Sequence, residues 1–194
     1  MSTSRTLFQR AVVTAASWVG WRVDVDLPLP PRCVIIGAHH TSWTDLPAAL
    51  LAREATGIRF RWAAKDTYFR GPLGWVFRAW GGIPVNRREH TNFVARMAEL
   101  FSQYDDFKLV IAPEGTRQQA AYWRTGFYYI ARAAQVPIVL GYADYPRRVV
   151  GCGPILLPTG DVEADFAFIR RFYATITGRF PERHSEIAIR PAAD

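Results

Sequence analysis

Val34-Ile35-Ile36-Gly37-Ala38-His39-His40-Thr41-Ser42-Trp43-Thr44-Asp45 passes from an apolar run through two histidines into a helix start. The run Val34 to Gly37 reads as a short buried strand. Ser42-Trp43-Thr44-Asp45 has a capping-box pattern, which starts a helix near Ser42 that runs to about Ala55. Working outward, Arg59 to Ala63 alternates charge and bulk as a second strand. Lys108 to Ala112 and Pro137 to Tyr142 are further apolar strands, with a short one from Arg148 to Val150. Helices are expected from His90 to Tyr104, Gly126 to Ala134 and Asp161 to Ile176. Gly81 to Arg87 reads as a turn leading into a short strand. The alternation implies an α/β fold: a single domain with a central, largely parallel or mixed sheet flanked by helices. The expected organisation is an N-terminal amphipathic helix and linker over residues 1–26, then one domain over 27–194. In such sheets reactive loops collect at the carboxyl ends of strands. His40 and Glu114 both fall there.

Composition narrows the partners. The chain has 194 residues and a net charge of +7, with an aromatic content of 14% that includes seven Trp. Of 24 basic residues only Lys65 and Lys108 are Lys. Arginine pairs bidentately with phosphate, so the charge favours phosphorylated lipids or anionic surfaces. The basic residues are scattered rather than clustered and no nucleic-acid module is visible, so no nucleic acid is expected. Cys33 and Cys152 stand far apart without metal-ligand spacing, so neither a disulfide framework nor a metal site is expected. Arg5 and Arg10 precede an uncharged run, Ala11 to Trp21, which is shorter than the roughly 20 residues a membrane span needs. Its two Trp do not suit a signal-peptide cleavage region. Two readings stay open: a helix lying in a membrane interface, or Leu7, Phe8, Val12, Trp18 and Val19 packing on the domain.

His40 and Asp45 are five residues apart. On one continuous helix that step is about 500°, which leaves the side chains about 140° apart. They meet only if His40 lies outside the helix and folds back over its first turn. The competing role for Asp45 is to cap the helix and complement its dipole. His39, one residue out of register, is the nearest impostor for His40, and His184 reads as tail surface. The spacing by itself is weak. What strengthens it is order: Gly81-Gly82-Ile83-Pro84-Val85-Asn86-Arg87, then Pro113-Glu114-Gly115-Thr116-Arg117, then Val136-Pro137-Ile138-Val139.

Those four blocks, in that order across residues 37 to 140, resemble the glycerol-phosphate and lysophosphatidate (PlsC-like) acyltransferase family. The resemblance implies that residues 27–194 form an acyltransferase domain. It also implies that His40 is the general base and that Asp45 orients it. Arg87, Glu114, Gly115 and Arg117, with Thr116 in the same block, would bind the acceptor, and Lys65 would help hold its phosphate. Asn86 stands where an acidic residue is frequent, and Trp123-Arg124-Thr125-Gly126 has Arg where the family element has Lys. The implied reaction moves a fatty acyl group from acyl-CoA or acyl carrier protein, as substrate, to the hydroxyl of a lysophospholipid such as 1-acylglycerol-3-phosphate. No cofactor, metal or covalent intermediate is implied. The expected location is cytoplasmic, on the inner face of the plasma membrane.

Elementary chemistry assigns the same roles. A thioester carbonyl is already activated, so what must be supplied is a base for a weakly acidic alcohol, and histidine titrates in the right range. A carboxylate fixes its tautomer. Amides near Ser42 at the helix start are suited to an oxyanion. The alternatives are an ornithine-type or glycolipid acceptor without phosphate, a catalytically idle membrane-surface module, and a serine-type hydrolase built on Ser42. The aromatic segment Phe69 to Trp80 is expected to touch an acyl chain or membrane, or to be tightly turned core.

Overall fold

The computed structural model describes residues 6–26, 28–85 and 93–189. The elements run α1 (Leu7–Trp18), β1 (Arg22–Val25), β2 (Arg32–Ala38), α2 (Asp45–Thr56), β3 (Arg61–Lys65), α3 (Gly71–Ala79) and β4 (Gly82–Val85). They continue with α4 (Phe93–Gln103), β5 (Phe107–Ile111), α5 (Gly126–Ala133), β6 (Ile138–Asp144), β7 (Val149–Leu156) and α6 (Val162–Tyr173). The strands form one seven-stranded sheet in the order β1-β7-β6-β2-β5-β3-β4. All neighbours are parallel except β6 and β7. The expected α/β architecture is therefore the observed one, with the parallel sheet buried between helices as such sheets require.

β2 is central because its residues are apolar on both faces. Ile36 registers with Ile111 of β5 and Leu140 of β6. Its alternate residues serve different interiors. Val34, Ile36 and Ala38 join Leu109, Ile138 and Leu140 against Met97, Phe101, Phe127, Phe166, Ile169 and Tyr173 from α4, α5 and α6. Fully burying one such large side chain contributes about 1.5–3 kcal/mol. Cys33 and Ile35 face the other way and cluster with Val139, Val110, Cys152 and Leu29. On the packed side the Tyr128 hydroxyl donates to Asp165 at 2.7 Å and Thr159 adds its amide at 2.8 Å, whereas the buried Trp123 Nε1 has no hydrogen-bond partner among the described residues.

Four local expectations are corrected. Residues 22–25, expected in a linker, form β1, which extends the sheet by pairing with β7. The segment Phe69 to Trp80 contains a regular helix, α3, with Pro72 in its first turn, where a missing amide costs nothing. Phe69 and Phe77 turn inward onto Trp62, while Leu73 and Trp75 remain exposed. β7 runs through Leu156 despite Gly151, Gly153 and Pro154. Finally, α2 starts at Asp45, not near Ser42. It stops at Gly57, whose φ of +76° and amide bond to Arg53 O make a left-handed cap.

α1 begins with a reciprocal capping box between Thr6 and Gln9. It docks on the domain through small residues. Ala16 is buried, whereas Leu7, Phe8, Trp18 and Val19 are all more than half exposed. Of the five residues that could have packed on the domain, only Val12 is partly covered. No helix among the described residues is long and apolar enough to cross a membrane.

Candidate active site

The β2–α2 connection, His39 to Thr44, leaves the sheet at its carboxyl end. His40 stays outside the helix, and its Nδ1 lies 2.9 Å from Asp45 Oδ2. A carboxylate only accepts, so Nδ1 carries the hydrogen and Nε2 is left as the basic nitrogen. Asp45 is the first helical residue. Its Oδ2 also accepts the Ser42 amide at 2.9 Å, and its Oδ1 accepts the Tyr145 hydroxyl at 2.8 Å. Half of the expected box forms, since Asp45 reaches back to the Ser42 N–H, but the Ser42 hydroxyl accepts the Thr44 amide and not that of Asp45, and the regular helix begins at Asp45. The Ser42 amide is thereby unavailable to an oxyanion. The Ser42 hydroxyl accepts from the Thr44 amide at 3.2 Å and lies 2.8 Å from Thr44 Oγ1. It is a turn-forming group and no base addresses it, which disfavours a serine nucleophile.

Glu114 follows β5 on the adjacent strand end and is 4% exposed. Its Oε1 accepts the His40 backbone amide at 3.1 Å, so it supports the histidine loop from beneath. Burial raises its pKa to about 7, partly offset by its own backbone amide and that of His40. Oε2 has no hydrogen-bond partner among the described residues. Gly115 turns the chain with φ +65°, and a Cβ there would press on Arg124 Nε at 2.7 Å. Thr116 Oγ1 accepts the Gln118 amide at 3.2 Å and shapes the same loop.

Arg117 makes no surface ion pair among the described residues. Its guanidinium stacks 3.5 Å from the Trp43 ring centroid and donates to the Tyr68 hydroxyl at 3.3 Å. Trp43 and Tyr68 meet edge to face at 5.5 Å. Such stacking holds a cation in place without neutralising it. Lys65 ends β3 and is exposed. Arg87 and the helix start expected at His90 lie outside the described residues.

His40, Asp45, Lys65, Glu114, Gly115, Thr116 and Arg117 all line one cavity of about 1090 Å³. That is at the upper end of ligand pockets, which run about 300–1,000 Å³. Away from the polar group it passes beneath α2, past Ala49, Ala52, Ile58, Ile35 and Gly141. His39 takes no part in the dyad. It is buried, stacked on His184 at 3.8 Å, and burial first and His184 second lower its pKa to about 4. His184 is not plain tail surface, because its Nε2 accepts the Gly178 amide at 3.1 Å. Sequence reading missed Tyr68, which immediately precedes the aromatic segment, and Tyr145, whose only signal was its place just after a strand.

These groups place a histidine–carboxylate pair at the carboxyl ends of a mostly parallel sheet, beside a cavity also lined by Lys65, Arg117 and Arg124, none of which forms an ion pair among the described residues. The family model described as Acyltransferase matches residues 23–140, and the chain belongs to that family. It is 30% identical over 112 residues to human 1-acyl-sn-glycerol-3-phosphate acyltransferase beta, covering 55% of this chain and 39% of the relative. The chain thus spans well under two thirds of that protein's length. In fold it is similar to the crystal structure of the 1-acyl-sn-glycerophosphate (LPA) acyltransferase PlsC from Thermotoga maritima. There the TM-score is 0.60 at 16% identity, over 86% of this chain and 77% of the other.

Proposed function

We propose that the protein transfers a fatty acyl group from a thioester donor, acyl-CoA or acyl carrier protein, to the hydroxyl of 1-acylglycerol-3-phosphate. The observation that carries this reading is the His40–Asp45 pair at 2.9 Å, sharing one cavity with Lys65 and Arg117. His40 Nε2 takes the proton of the acceptor hydroxyl as its oxygen attacks the thioester carbonyl. Asp45 stabilises the imidazolium that forms. The tetrahedral intermediate then collapses, the C–S bond breaks, and the imidazolium returns the proton to the departing thiolate. No covalent enzyme intermediate, metal or cofactor is needed for this sequence. Lys65 and Arg117 would hold the acceptor phosphate, with Arg87 as a further candidate, and the apolar stretch beneath α2 would take acyl chain.

The same reading includes a peripheral membrane surface at the inner face of the plasma membrane. Exposed Leu7, Phe8 and Trp18 on α1 and Leu73 and Trp75 on α3 would enter the lipid interface. The test is to supply purified protein with acyl-CoA and either 1-acylglycerol-3-phosphate or a phosphate-free acceptor, following free thiol and product. Diacyl product with the phosphate-bearing acceptor is expected, together with a raised KM for that acceptor in Arg117→Ala. Liposome binding without product from any acceptor would contradict the assignment.

A further inference from the structure

We infer that Tyr145 is a positioning residue for the His40–Asp45 pair, fixing the carboxylate through the oxygen that His40 does not use. This rests on His40 being the base, as proposed above. Tyr145 immediately follows β6, the neighbour of β2 in the sheet, and so stands at the same sheet end as the histidine loop. It lies beyond residues 23–140, the stretch matched by the family model.

The protons can be counted. Tyr145 has a single hydroxyl hydrogen, and it goes to Asp45 Oδ1 at 2.8 Å. The 2.7 Å contact between Tyr145 Oη and Thr44 Oγ1 must then be donated by Thr44. Thr44 Oγ1 in turn receives Arg179 NH1 at 3.1 Å and the Ser42 hydroxyl at 2.8 Å. Every donor in the chain points toward Asp45, and a cation stands at its far end. Hydrogen bonds aligned this way polarise one another. Burial raises the Tyr145 pKa, so the residue remains an O–H donor throughout the working range.

Position is fixed as firmly as charge. The Tyr145 amide donates to Thr177 O at 3.0 Å, and Trp21, just past α1, stands edge-on to its ring at 5.2 Å. Asp45 is thus held by His40 and the Ser42 amide on Oδ2 and by Tyr145 on Oδ1. Without the phenol, Oδ1 loses the hydrogen bond that stops the carboxylate from turning about its own axis. Among the described residues, the other charged groups that reach this cluster are Glu114, on the His40 backbone, Arg179, on Thr44, and Arg183, on the Thr41 carbonyl.

The experiment compares kcat, KM and pH–rate profiles of wild type, Tyr145→Phe and Thr44→Val, with thioester donor and 1-acylglycerol-3-phosphate. In Tyr145→Phe, kcat is expected to fall about ten- to a hundredfold, the range that misplacing a reacting group produces. KM should stay close to wild type. The acid limb of the profile should move to higher pH, because unshared charge on Asp45 holds the imidazolium more tightly. In an Asp45→Asn background the same substitution should cost nothing further. Thr44→Val keeps the phenol packing and should give the same signature at smaller size, so a Tyr145→Phe protein that fails to fold does not end the test. Unchanged kcat, an unmoved acid limb, or full additivity with Asp45→Asn would overturn the role of Tyr145 alone. A wild type without turnover would overturn the base assignment, and this inference with it.

Discussion

On the side of the sheet covered by α4, α5 and α6, Phe101, Phe127, Phe166, Trp123 and Tyr173 interlock into a continuous cluster. On the side beneath α2, the buried set shrinks to Cys33, Ile35 and Val139, and a cavity of about 1090 Å³ takes the remaining space. The same strands supply both interiors, one residue apart. β2 sends Val34 and Ile36 to the packed side, while Ile35 and Gly37 line the hollow and Ala38, at the strand end, borders both. α2 presents Ala49 and Ala52 to the hollow and β6 presents Gly141, small residues that leave space between larger ones such as Leu46, Phe60 and Phe77. One face stabilises the fold and the other leaves room for a ligand. The dyad stands at the rim between them.

Substitutions on each face can break that comparison. Phe166→Ala on the packed side should be the most damaging, costing about 3–5 kcal/mol in denaturant unfolding. Ala52→Phe on the hollow side should leave stability within about 1 kcal/mol of wild type, since filling a void commonly stabilises. It should instead cut use of long acyl donors relative to short ones. Equal stability losses at the two positions would mean that the faces are not different in kind.

A smaller effect concerns Glu114, whose pKa burial raises from the ordinary 4.5 to about 7 in the folded protein. Between those values the folded state binds more protons than the unfolded state. Wild-type stability therefore falls as pH rises from about 4.5 to 7 on account of this residue. His39, lowered from 6.5 to about 4, works in the opposite direction over an overlapping window. The difference between wild type and Glu114→Gln isolates the first term. Glutamine can still accept the His40 amide, so the variant should gain on wild type as pH rises through that window. A pH-independent difference would argue against a buried, proton-binding Glu114. Smallest is the surface: Trp18→Ser should weaken binding to anionic vesicles while leaving the melting temperature within about 1 °C, as exposed substitutions usually do.

Much of this was legible in the sequence, for identifiable reasons. Apolar runs located the central strands, and the five-residue step forced His40 off the helix if it was to meet Asp45. The block 113–117 supplied Glu114, Gly115, Thr116 and Arg117, and the resemblance supplied Lys65, all of which line one cavity. Other features were hidden because tertiary contacts decide them. β1 has alternating charge and becomes a strand only by pairing with β7. α3 is masked by Gly71, Pro72 and Gly74, yet Gly74 is where the helix passes so close to Phe69 O that a Cβ would sit at 2.1 Å. The start of α2 shifted because the Ser42 hydroxyl accepts the Thr44 amide in place of that of Asp45. Tyr145 reaches Asp45 across a separation of 100 residues, which no local pattern encodes.

The central claim is that His40 removes the acceptor proton. Free-thiol release from acyl-CoA in the presence of 1-acylglycerol-3-phosphate, measured for wild type and for folded His40→Ala, tests it most directly. A fall of about a hundredfold or more, the usual worth of a general base, is predicted. Equal rates from the two proteins would contradict it.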